Sequence, residues 1–316
     1  MGERAGEPGP SRAGATRAQR LLDGDARVRV GLVGAGPWAR MVHAPMLAGH
    51  PGLALAGIWA RRPEAASALA AETGSTAHAT FDGLLARCDA VAFAVPPDVQ
   101  AELAAKAAAA GKALLLEKPI ALDLAAARRL VDAVDAAGIC SQVVLTWRYS
   151  AEMRTFLADV ARTRPIGGRG HFLSASALSG PFATPWRLEH GPLLDLGPHV
   201  VDALDAALGP VVGVRASGDR RRWVGLLLEH ASGVVSEVSL TARSGAAVTR
   251  AGVEVHTEDE VLDFDGAAVY GPDVVATVAS DWARTARGTA HPLDVHRGLH
   301  LQQVLHDAAG DLDARR

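Results

Sequence analysis

The stretch LLDLGPHVVDAL, which covers residues 193–204, places an acid and an imidazole four residues apart in an otherwise apolar segment. A Gly-Pro pair lies between them and is typical of a helix start, so we expect a helix over Pro198–Leu208 with His199 in its first turn. The dipole of that helix disfavours the imidazolium form, and a neutral imidazole can accept a proton from an alcohol. We therefore predict that His199 is a general acid–base, and that Asp195 orients it, contacts substrate hydroxyls or caps the helix.

A lysine completes the set of candidate catalytic residues. Lys118 follows the apolar run ALLL at the point where we expect a strand to end. Open α/β sheets bind ligands beyond the carboxyl ends of their strands, so an ammonium there could hold a reacting oxygen and stabilise its negative charge. Lys118, Asp195 and His199 together suit hydride transfer at a carbinol carbon, although the roles of the lysine and the histidine could be exchanged. The alternative is that Lys118 is a surface cation and Asp195 an ordinary helix cap.

The segment VGLVGAGPWA has the spacing of a nucleotide-binding loop. Gly34 would allow a tight turn after a strand, Gly36 would let the backbone approach a pyrophosphate, and Ala39 would let the next helix pack closely on the strand. The N-terminus of that helix would face the anion, and a proline is acceptable at an early helical position. We predict a dinucleotide-binding loop whose residues are Gly34, Gly36, Pro37, Trp38 and Ala39.

The end of the second predicted strand bears on the choice of cofactor. An NAD site would place an acidic residue there, but the sequence reads WARR. Ala60 followed by Arg61 and Arg62 suits a 2′-phosphate, which guanidinium groups bind through charge and paired hydrogen bonds. The sequence therefore favours NADP over NAD, unless the two arginines are only solvated residues at a helix start.

A metal site is the competing interpretation of the histidines. The candidate ligands are His190, Asp195, His199 and Asp202 and, in the last predicted helix, His296 and His300. Neither group has the fixed ligand spacing of a zinc motif, and hydride transfer requires no metal. We predict no metal site and interpret the terminal pair as solvated or interface histidines.

Alternating strands and helices must position these residues. From Arg27 to about Gly138, apolar strand candidates alternate with helices, which indicates a parallel sheet with right-handed crossovers. From about Ser141, strand patterns follow one another without helices between them, apart from Pro198–Leu208 and a terminal helix over about Leu293–Ala309. The predicted fold is α/β: an N-terminal doubly wound dinucleotide-binding (Rossmann) domain and a C-terminal α+β domain with a large, mainly antiparallel open sheet.

These patterns also give the expected domain limits. We predict a disordered tail over residues 1–26, an NAD(P)-binding domain over 27–145, and a substrate-binding and oligomerisation domain over 146–316, whose last helix can pack back on the first domain. The tail is rich in Gly, Ala, Arg and Pro and has no apolar block of the kind that a secretory signal needs.

Composition narrows the possible partners. The formal net charge is −3 over 316 residues, which gives no reason to expect a nucleic-acid partner, and no apolar run is long enough to span a membrane. Cys88 and Cys140 lie in apolar runs, as buried thiols in a reducing cytoplasm would. We expect a cytoplasmic protein that forms a homodimer or homotetramer by packing the exposed face of its second sheet, since such faces seldom stay solvated when apolar.

Three segments together resemble the Gfo/Idh/MocA oxidoreductase family: GLVGAGPWA, AVPPDVQAELAAKAAAAGK and the Glu117-Lys118-Pro119 triplet. That family contains glucose–fructose oxidoreductase, inositol dehydrogenases and many sugar or polyol dehydrogenases. The resemblance implies that Lys118 lies beside the nicotinamide and the substrate, and that Asp195 and His199 form the family's D-x-x-x-H motif. Further candidate cofactor contacts are Val95, Pro96, Pro97 and Glu117, and candidate pocket walls are Arg148, Tyr149, Trp186 and Arg187.

The chain departs from the family pattern at two places. It has His190-Gly191-Pro192 where members usually have a Gly-Gly pair before the D-x-x-x-H motif. It has Gln100 where an asparagine or histidine is common. Neither departure touches the proposed catalytic side chains.

The functional hypothesis is an NAD(P)-dependent oxidoreductase that transfers a hydride between nicotinamide and a carbinol or carbonyl carbon of a sugar, inositol-like or related polyhydroxylated small molecule. Two alternatives remain. The first is a non-catalytic nucleotide-binding sensor or scaffold of the same fold. The second is a reductase of a non-carbohydrate ligand, such as an imine or a tetrapyrrole.

Overall fold

The structure is a computed structural model that describes residue 19 and residues 26–175, 183–245 and 249–314. The tail predicted over residues 1–26 lies almost wholly outside the described residues. In the described part, no helix is both long enough and apolar enough to cross a membrane.

The first sheet is parallel throughout, with the strand order β2-β1-β3-β4-β5. Its strands are β1 (Val28–Val33), β2 (Leu53–Trp59), β3 (Ala90–Phe93), β4 (Ala113–Leu116) and β5 (Ser141–Val143). Strands of such a sheet are covered on both faces, which is why β1 and β3 read as nearly continuous apolar runs and are almost wholly buried. The predicted doubly wound sheet is confirmed.

Short helices connect these strands. They are α1 (Ala44–Gly49, directly after a π-helical turn at Ala39–His43), α2 (Pro63–Thr73), α3 (Phe81–Leu85), α4 (Pro97–Ala109) and α5 (Leu124–Ala137). The sequence specifies the limits of α5, because Asp123 accepts a hydrogen bond from the amide of Ala126 at one end and Gly138 adopts a left-handed φ of 60° at the other.

The second sheet has six strands in the order β11-β10-β6-β9-β8-β7. They are β6 (Pro165–Leu173), β7 (Val211–Gly218), β8 (Val224–His230), β9 (Val235–Thr241), β10 (Arg250–Thr257) and β11 (Val261–Asp265). The predicted mainly antiparallel sheet is confirmed, and β8–β9 and β10–β11 form antiparallel hairpins within it. The exception is β6, the first strand along the chain, which lies in the middle of the sheet and pairs parallel with β9.

Five helices accompany this sheet: α6 (Ala151–Val160), α7 (Pro185–Asp195), α8 (Gly197–Leu208), α9 (Pro272–Thr285) and α10 (Val295–Ala314). The sequence predicts α8 and α10 but not the other three, so the expectation of strands without intervening helices is wrong there. In α6 and α9 the buried positions recur at helical spacing within short, alanine-rich or charged segments. In α7 a kink at Gly191 and Pro192 interrupts the pattern.

Helix α8 lies close against the second sheet. Val200, Val201 and Leu204 form its buried face, and each fully buried side chain of this kind contributes about 1.5–3 kcal/mol. Glycines on β6 allow this approach, because a Cβ on Gly170 would collide with Val200 and one on Gly168 would press on Leu208. The glycines of β6 therefore determine how near the helix that carries His199 lies to the sheet.

Helix α10 packs against α5, which covers the first sheet, and against β7 and α8 of the second half. Nε2 of His296 lies 3.0 Å from the carboxylate of Asp135 on α5, and the side chain of Gln303 accepts a hydrogen bond from Arg128, also on α5. The last helix thus connects the two halves of the chain. The limits 27–145 and 146–316 stay a prediction.

The face of the second sheet opposite α8 bears charged side chains. Across neighbouring strands Glu254, Arg169, Glu237 and Leu227 lie side by side in register, and Arg169 pairs with Glu254 at 2.8 Å. Leu227 and Val235 are exposed among them. This face therefore carries charged groups of both signs beside exposed apolar ones, and the oligomer through it stays a prediction.

Candidate active site

A cavity of about 610 Å³ lies where the carboxyl ends of β1, β3 and β4 meet α7, α8 and the second sheet. That volume is typical of a small-molecule site. Its lining from the first half of the chain includes Gly36, Pro37, Trp38, Val95, Pro96, Pro97, Glu117 and Lys118, and from the second half Thr146, Trp147, Phe172, Trp186, Arg187, Asp195, His199 and Tyr270. The predicted catalytic trio and most of the predicted cofactor residues thus surround one cavity.

The nucleotide-binding loop has the backbone that its glycines suggest. Gly34 adopts a φ of 120°, and a Cβ there would collide with the carbonyl of Ala94 at the end of β3. Gly36 faces open space at the cavity, where a Cβ would meet no atom within 4 Å. Ala39 is fully buried against the sheet. A phosphate can therefore approach the Gly36 backbone at a helix N-terminus, which fits a dinucleotide.

Ala60, Arg61 and Arg62 lie just after β2. Ala60 is partly buried, whereas both arginines are exposed and their guanidinium groups make no hydrogen bond or ion pair with the described residues. Neither arginine lines the cavity, and Arg62 precedes α2 without capping it through its side chain. Two unengaged guanidinium groups at this sheet edge fit a 2′-phosphate, and the interpretation as solvated helix-start residues stays open.

Lys118, Asp195 and Arg187 form a charged cluster on the cavity wall. The Lys118 ammonium donates to the Asp195 carboxylate at 3.0 Å and to its main-chain oxygen at 2.6 Å. The Arg187 guanidinium meets the other carboxylate oxygen at 3.1 Å and stacks over Trp186 at 4.7 Å. Burial alone would raise the pKa of Asp195, but the two cations outweigh it and hold that pKa below its ordinary value. Asp195 is therefore an anion that holds Lys118 in place.

His199 lies in the first turn of α8, as predicted, with its ring between aromatic side chains. The ring centroids of Trp147 and Phe172 lie 5.7 and 6.0 Å from it, and its Nδ1 is buried without a hydrogen-bond partner among the described residues. Burial, and then the charge of Lys118, lower the pKa of His199 well below 6.5, while Asp195 opposes them. The imidazole is therefore neutral, and burial is the first cause.

Two of the roles predicted for Asp195 need correction. Helix α8 has no side-chain cap, so Asp195 does not cap it. Asp195 lies at the end of α7, and its carboxylate bonds to Lys118 and Arg187 rather than to the imidazole. The aspartate therefore orients the lysine and not the histidine.

Glu117 also lines the cavity, and the sequence did not predict its hydrogen-bond partners. One carboxylate oxygen accepts a hydrogen bond from the indole of Trp38 at 2.7 Å and lies 2.8 Å from Nε2 of the buried His43. Both partners belong to the segment after the glycine loop, the second of them within the π-helical turn. Glu117 thus connects the nucleotide loop to the segment that carries Lys118.

Two of the four residues predicted to form the pocket walls line the cavity. Trp186 and Arg187 line the cavity, but Arg148 and Tyr149 do not. Arg148 points to Asp202 at 3.2 Å, and the hydroxyl of the buried Tyr149 donates to the carbonyl of Val143 at 2.8 Å. Their neighbours Thr146 and Trp147 line the cavity instead. A 3-10 turn at Thr146–Tyr149 decides which side chains point inward, and no local pattern reveals that.

The carboxylates among the candidate metal ligands pair with cations. Asp202 is buried and pairs with Arg297 at 2.6 Å as well as with Arg148. The neighbouring Asp205 pairs with Arg297 and His300; burial would raise its pKa, but these partners hold it at about 2. Within the described ranges, no group of three or more potential ligands could hold a metal ion.

Comparisons with known proteins agree with this geometry. A profile of the GFO_IDH_MocA family, an oxidoreductase family with an NAD-binding Rossmann fold, matches residues 28–144. Dehydrogenase FPY6 of Fusarium mangiferae is 32% identical over an alignment of 291 positions, which covers 80% of this chain and 80% of that protein. Inositol 2-dehydrogenase of Rhizobium meliloti is 40% identical over 98 residues, which make up 30% of this chain and 29% of that protein.

A solved structure shows the same fold at low identity. The WlbA dehydrogenase of Bordetella pertussis, in complex with NADH and UDP-GlcNAcA, aligns with a TM-score of 0.82 at 24% identity, covering 92% of this chain and 98% of that one. At such identity the likeness concerns the fold alone.

Proposed function

The chain belongs to the GFO_IDH_MocA family of NAD-binding oxidoreductases, and we propose that this member transfers a hydride between NADP and a carbinol or carbonyl carbon of a sugar, inositol-like or related polyhydroxylated molecule. It is an NAD(P)-dependent dehydrogenase or reductase. The observation that carries the proposal is the convergence of the nucleotide loop with Lys118, Asp195 and His199 on one cavity.

The cofactor would lie between the glycine loop and the catalytic cluster. Gly36 and the helix N-terminus after it would hold the pyrophosphate, and Val95, Pro96 and Glu117 line the path from there to Lys118. The nicotinamide, when bound, supplies or accepts the hydride. Arg61 and Arg62 would bind the 2′-phosphate of NADP, which supports the preference for NADP over NAD.

Proton handling falls to His199 and Lys118. A neutral imidazole with a lowered pKa can accept the hydroxyl proton when an alcohol is oxidised, and can return it to the carbonyl oxygen in the reverse direction. The Lys118 ammonium stabilises the negative charge that develops on the same oxygen. Asp195 and Arg187 hold that ammonium at the wall, and the apolar rings around His199 exclude water.

The substrate class is supported by the walls of the cavity and by the relatives. Trp147, Phe172 and Trp186 offer flat apolar faces, on which the C–H faces of a sugar ring can stack, beside a few polar groups that can fix its hydroxyls. Inositol 2-dehydrogenase is named for a polyol, and the WlbA dehydrogenase was crystallised with a nucleotide-linked sugar. We also propose a homodimer or homotetramer formed through the second sheet, with Arg169, Glu237 and Glu254 as its charged contacts.

A substrate screen tests the function. The purified protein is incubated with NADP or NAD and a panel of polyols, sugars and ketosugars, and nicotinamide absorbance is followed in both redox directions. We expect turnover of at least one polyhydroxylated compound and a lower KM for NADP than for NAD. Cofactor binding without turnover across the panel would instead favour a nucleotide sensor, and turnover only with imines or tetrapyrroles would favour a non-carbohydrate reductase.

A further inference from the structure

Gln100 is a fully buried polar residue on α4 that does not line the cavity. The neighbouring inward positions of α4 are apolar and pack on the first sheet, as Ala104 and Ala107 do. A buried amide is costly unless its hydrogen bonds are made, so its partners indicate what it is for.

All of those partners belong to the backbone of the segment that carries Lys118. The side-chain oxygen of Gln100 accepts a hydrogen bond from the Glu117 amide at 2.8 Å. Its nitrogen donates to the carbonyl of Glu117 at 2.8 Å and to those of Pro119 and Ile120 at 3.3 Å each. One side chain therefore binds the backbone on both sides of Lys118.

Among the described strands, none pairs with this segment. Strand β4 ends at Leu116, whose pairing with Val143 is the last of the β4–β5 ladder. Beyond that point the backbone turns into the cavity, and buried N–H and C=O groups there need other partners. We infer that Gln100 is a positioning residue: its amide replaces the missing strand and fixes where the Lys118 side chain starts, in support of the proposed dehydrogenase function.

The position of Lys118 matters to its neighbours. From the clamped backbone the ammonium reaches the Asp195 carboxylate and lies near enough to His199 to lower the pKa of the imidazole. The charged groups that act on this ring are Lys118, from the end of β4, and Asp195, from the end of α7. If the segment shifts, the ammonium acts less on the ring, and the pKa of His199 rises toward its ordinary value.

Two substitutions at Gln100 test separately the length of its side chain and its polar atoms. Gln100→Asn keeps the amide but withdraws it by one methylene, and Gln100→Met keeps the length but removes the polar atoms. The matched control is Gln142→Asn, because Gln142, on β5 of the first sheet, is equally buried and its amide donates to the carbonyl of Val278 rather than to the Lys118 segment.

The readouts are kcat, the KM for NADP, and the pKa of His199 from an NMR titration of its ring. We expect both Gln100 variants to lower kcat by about 10- to 100-fold, the size expected for a misplacement of roughly 1 Å, with little change in the KM for NADP. We also expect a raised His199 pKa in both. Gln142→Asn should lower the Tm without either effect. An unchanged kcat and His199 pKa in Gln100 variants that lose only thermal stability would overturn the positioning role.

A measurement on the unmodified protein covers the case in which neither variant folds. Amide hydrogen exchange should show Glu117 N–H among the protected amides, because its acceptor is buried. Exchange at the rate of an exposed amide would contradict the inference. Neither this measurement nor the titration needs a substrate, so they decide the role of Gln100 even if the proposed activity fails.

Discussion

The two ends of the cavity are built in different ways. The nucleotide end consists of neighbouring residues whose backbone shapes the site. Gly34 has a positive φ, and Gly36 has no side chain to block the approach of a phosphate. The catalytic end consists of side chains from distant segments, with Lys118 and Asp195 joined across 77 residues. A change at the first end should therefore act locally on the cofactor, whereas a change at the second should act on charge and proton transfer.

The largest expected effect lies at the catalytic end. His199→Asn removes the proton acceptor, so we expect kcat to fall by about 10²- to 10⁴-fold while the dissociation constant of NADP stays close to that of the unmodified protein. Steady-state kinetics and cofactor titration measure the two effects. The control is His296→Asn, since this exposed histidine of α10 does not line the cavity and its ring contacts Asp135 of α5. Near-normal turnover would remove His199 from the proposed mechanism.

Lys118→Met should come next. We expect kcat to fall by about 10²- to 10³-fold, because the ammonium no longer stabilises the developing oxyanion. The substitution also removes a charge that lowers the pKa of His199, so the acid limb of the pH–rate profile for alcohol oxidation should move to higher pH.

The exposed Lys106, which pairs with Glu102 on the surface of α4, provides the control Lys106→Met. It should change neither the rate nor the profile. A rate loss in Lys118→Met without any movement of the acid limb would separate the lysine from the imidazole and weaken the account of the catalytic end.

At the nucleotide end, Gly34→Ala tests whether backbone shape alone makes the site. The residue has a left-handed φ, and a Cβ would collide with the carbonyl of Ala94, so we expect a stability loss of more than about 1 kcal/mol and weaker NADP binding. Gly111→Ala is the matched control, because Gly111 has a φ of 69° but open space around its Cα. Chemical denaturation and cofactor titration measure both, and equal losses in the two variants would show that the collision is unimportant.

Arg61→Ala should produce a smaller and more selective effect. Loss of one charged hydrogen-bonding group from the 2′-phosphate should raise the KM for NADP about tenfold and leave the KM for NAD nearly unchanged. Arg87, which is also exposed but lies before β3, provides the control Arg87→Ala. An equal change for both cofactors would defeat the assignment of a 2′-phosphate site.

The smallest effect concerns stability in acid. The folded protein holds the pKa of His199 below 6.5, so below that pH the unfolded chain binds more protons than the folded one. The free energy of unfolding therefore decreases as the pH falls below about 6.5, because protons bind His199 in the unfolded chain first. The Tm of His199→Asn should drop less than that of the unmodified protein between about pH 7 and pH 5, whereas an equal drop would show that the imidazole is readily protonated in the folded state.

Local patterns were sufficient for the nucleotide end and for much of the fold. The spacing of Gly34, Gly36 and Ala39 follows from steric needs within one turn, and apolar runs such as β1 and β3 reveal buried parallel strands. The helix start before His199 is equally local. Helices α6, α7 and α9 escaped prediction because a short amphipathic pattern, or one broken by Gly191 and Pro192, is hard to distinguish from strand and turn.

The partners at the catalytic end were not predictable in the same way. The stretch 193–204 revealed an acid and an imidazole, but only the fold shows that Asp195 serves Lys118 and Arg187 rather than His199. Likewise, Gln100 differs from a common family residue in sequence, and only the structure shows that its amide bonds to the backbone on both sides of Lys118.

By itself, the sequence determined which residues are candidates for the chemistry, where the glycine-rich loop turns and which family the chain resembles, because these depend on residue type and short spacing. Tertiary structure alone decided which charges meet, which histidine nitrogen is buried, and that Thr146 and Trp147 rather than Arg148 and Tyr149 line the cavity. The physical reason is that pKa shifts, ion pairs and cavity walls arise from groups far apart in the chain, whose distances are set by how the helices pack on the two sheets.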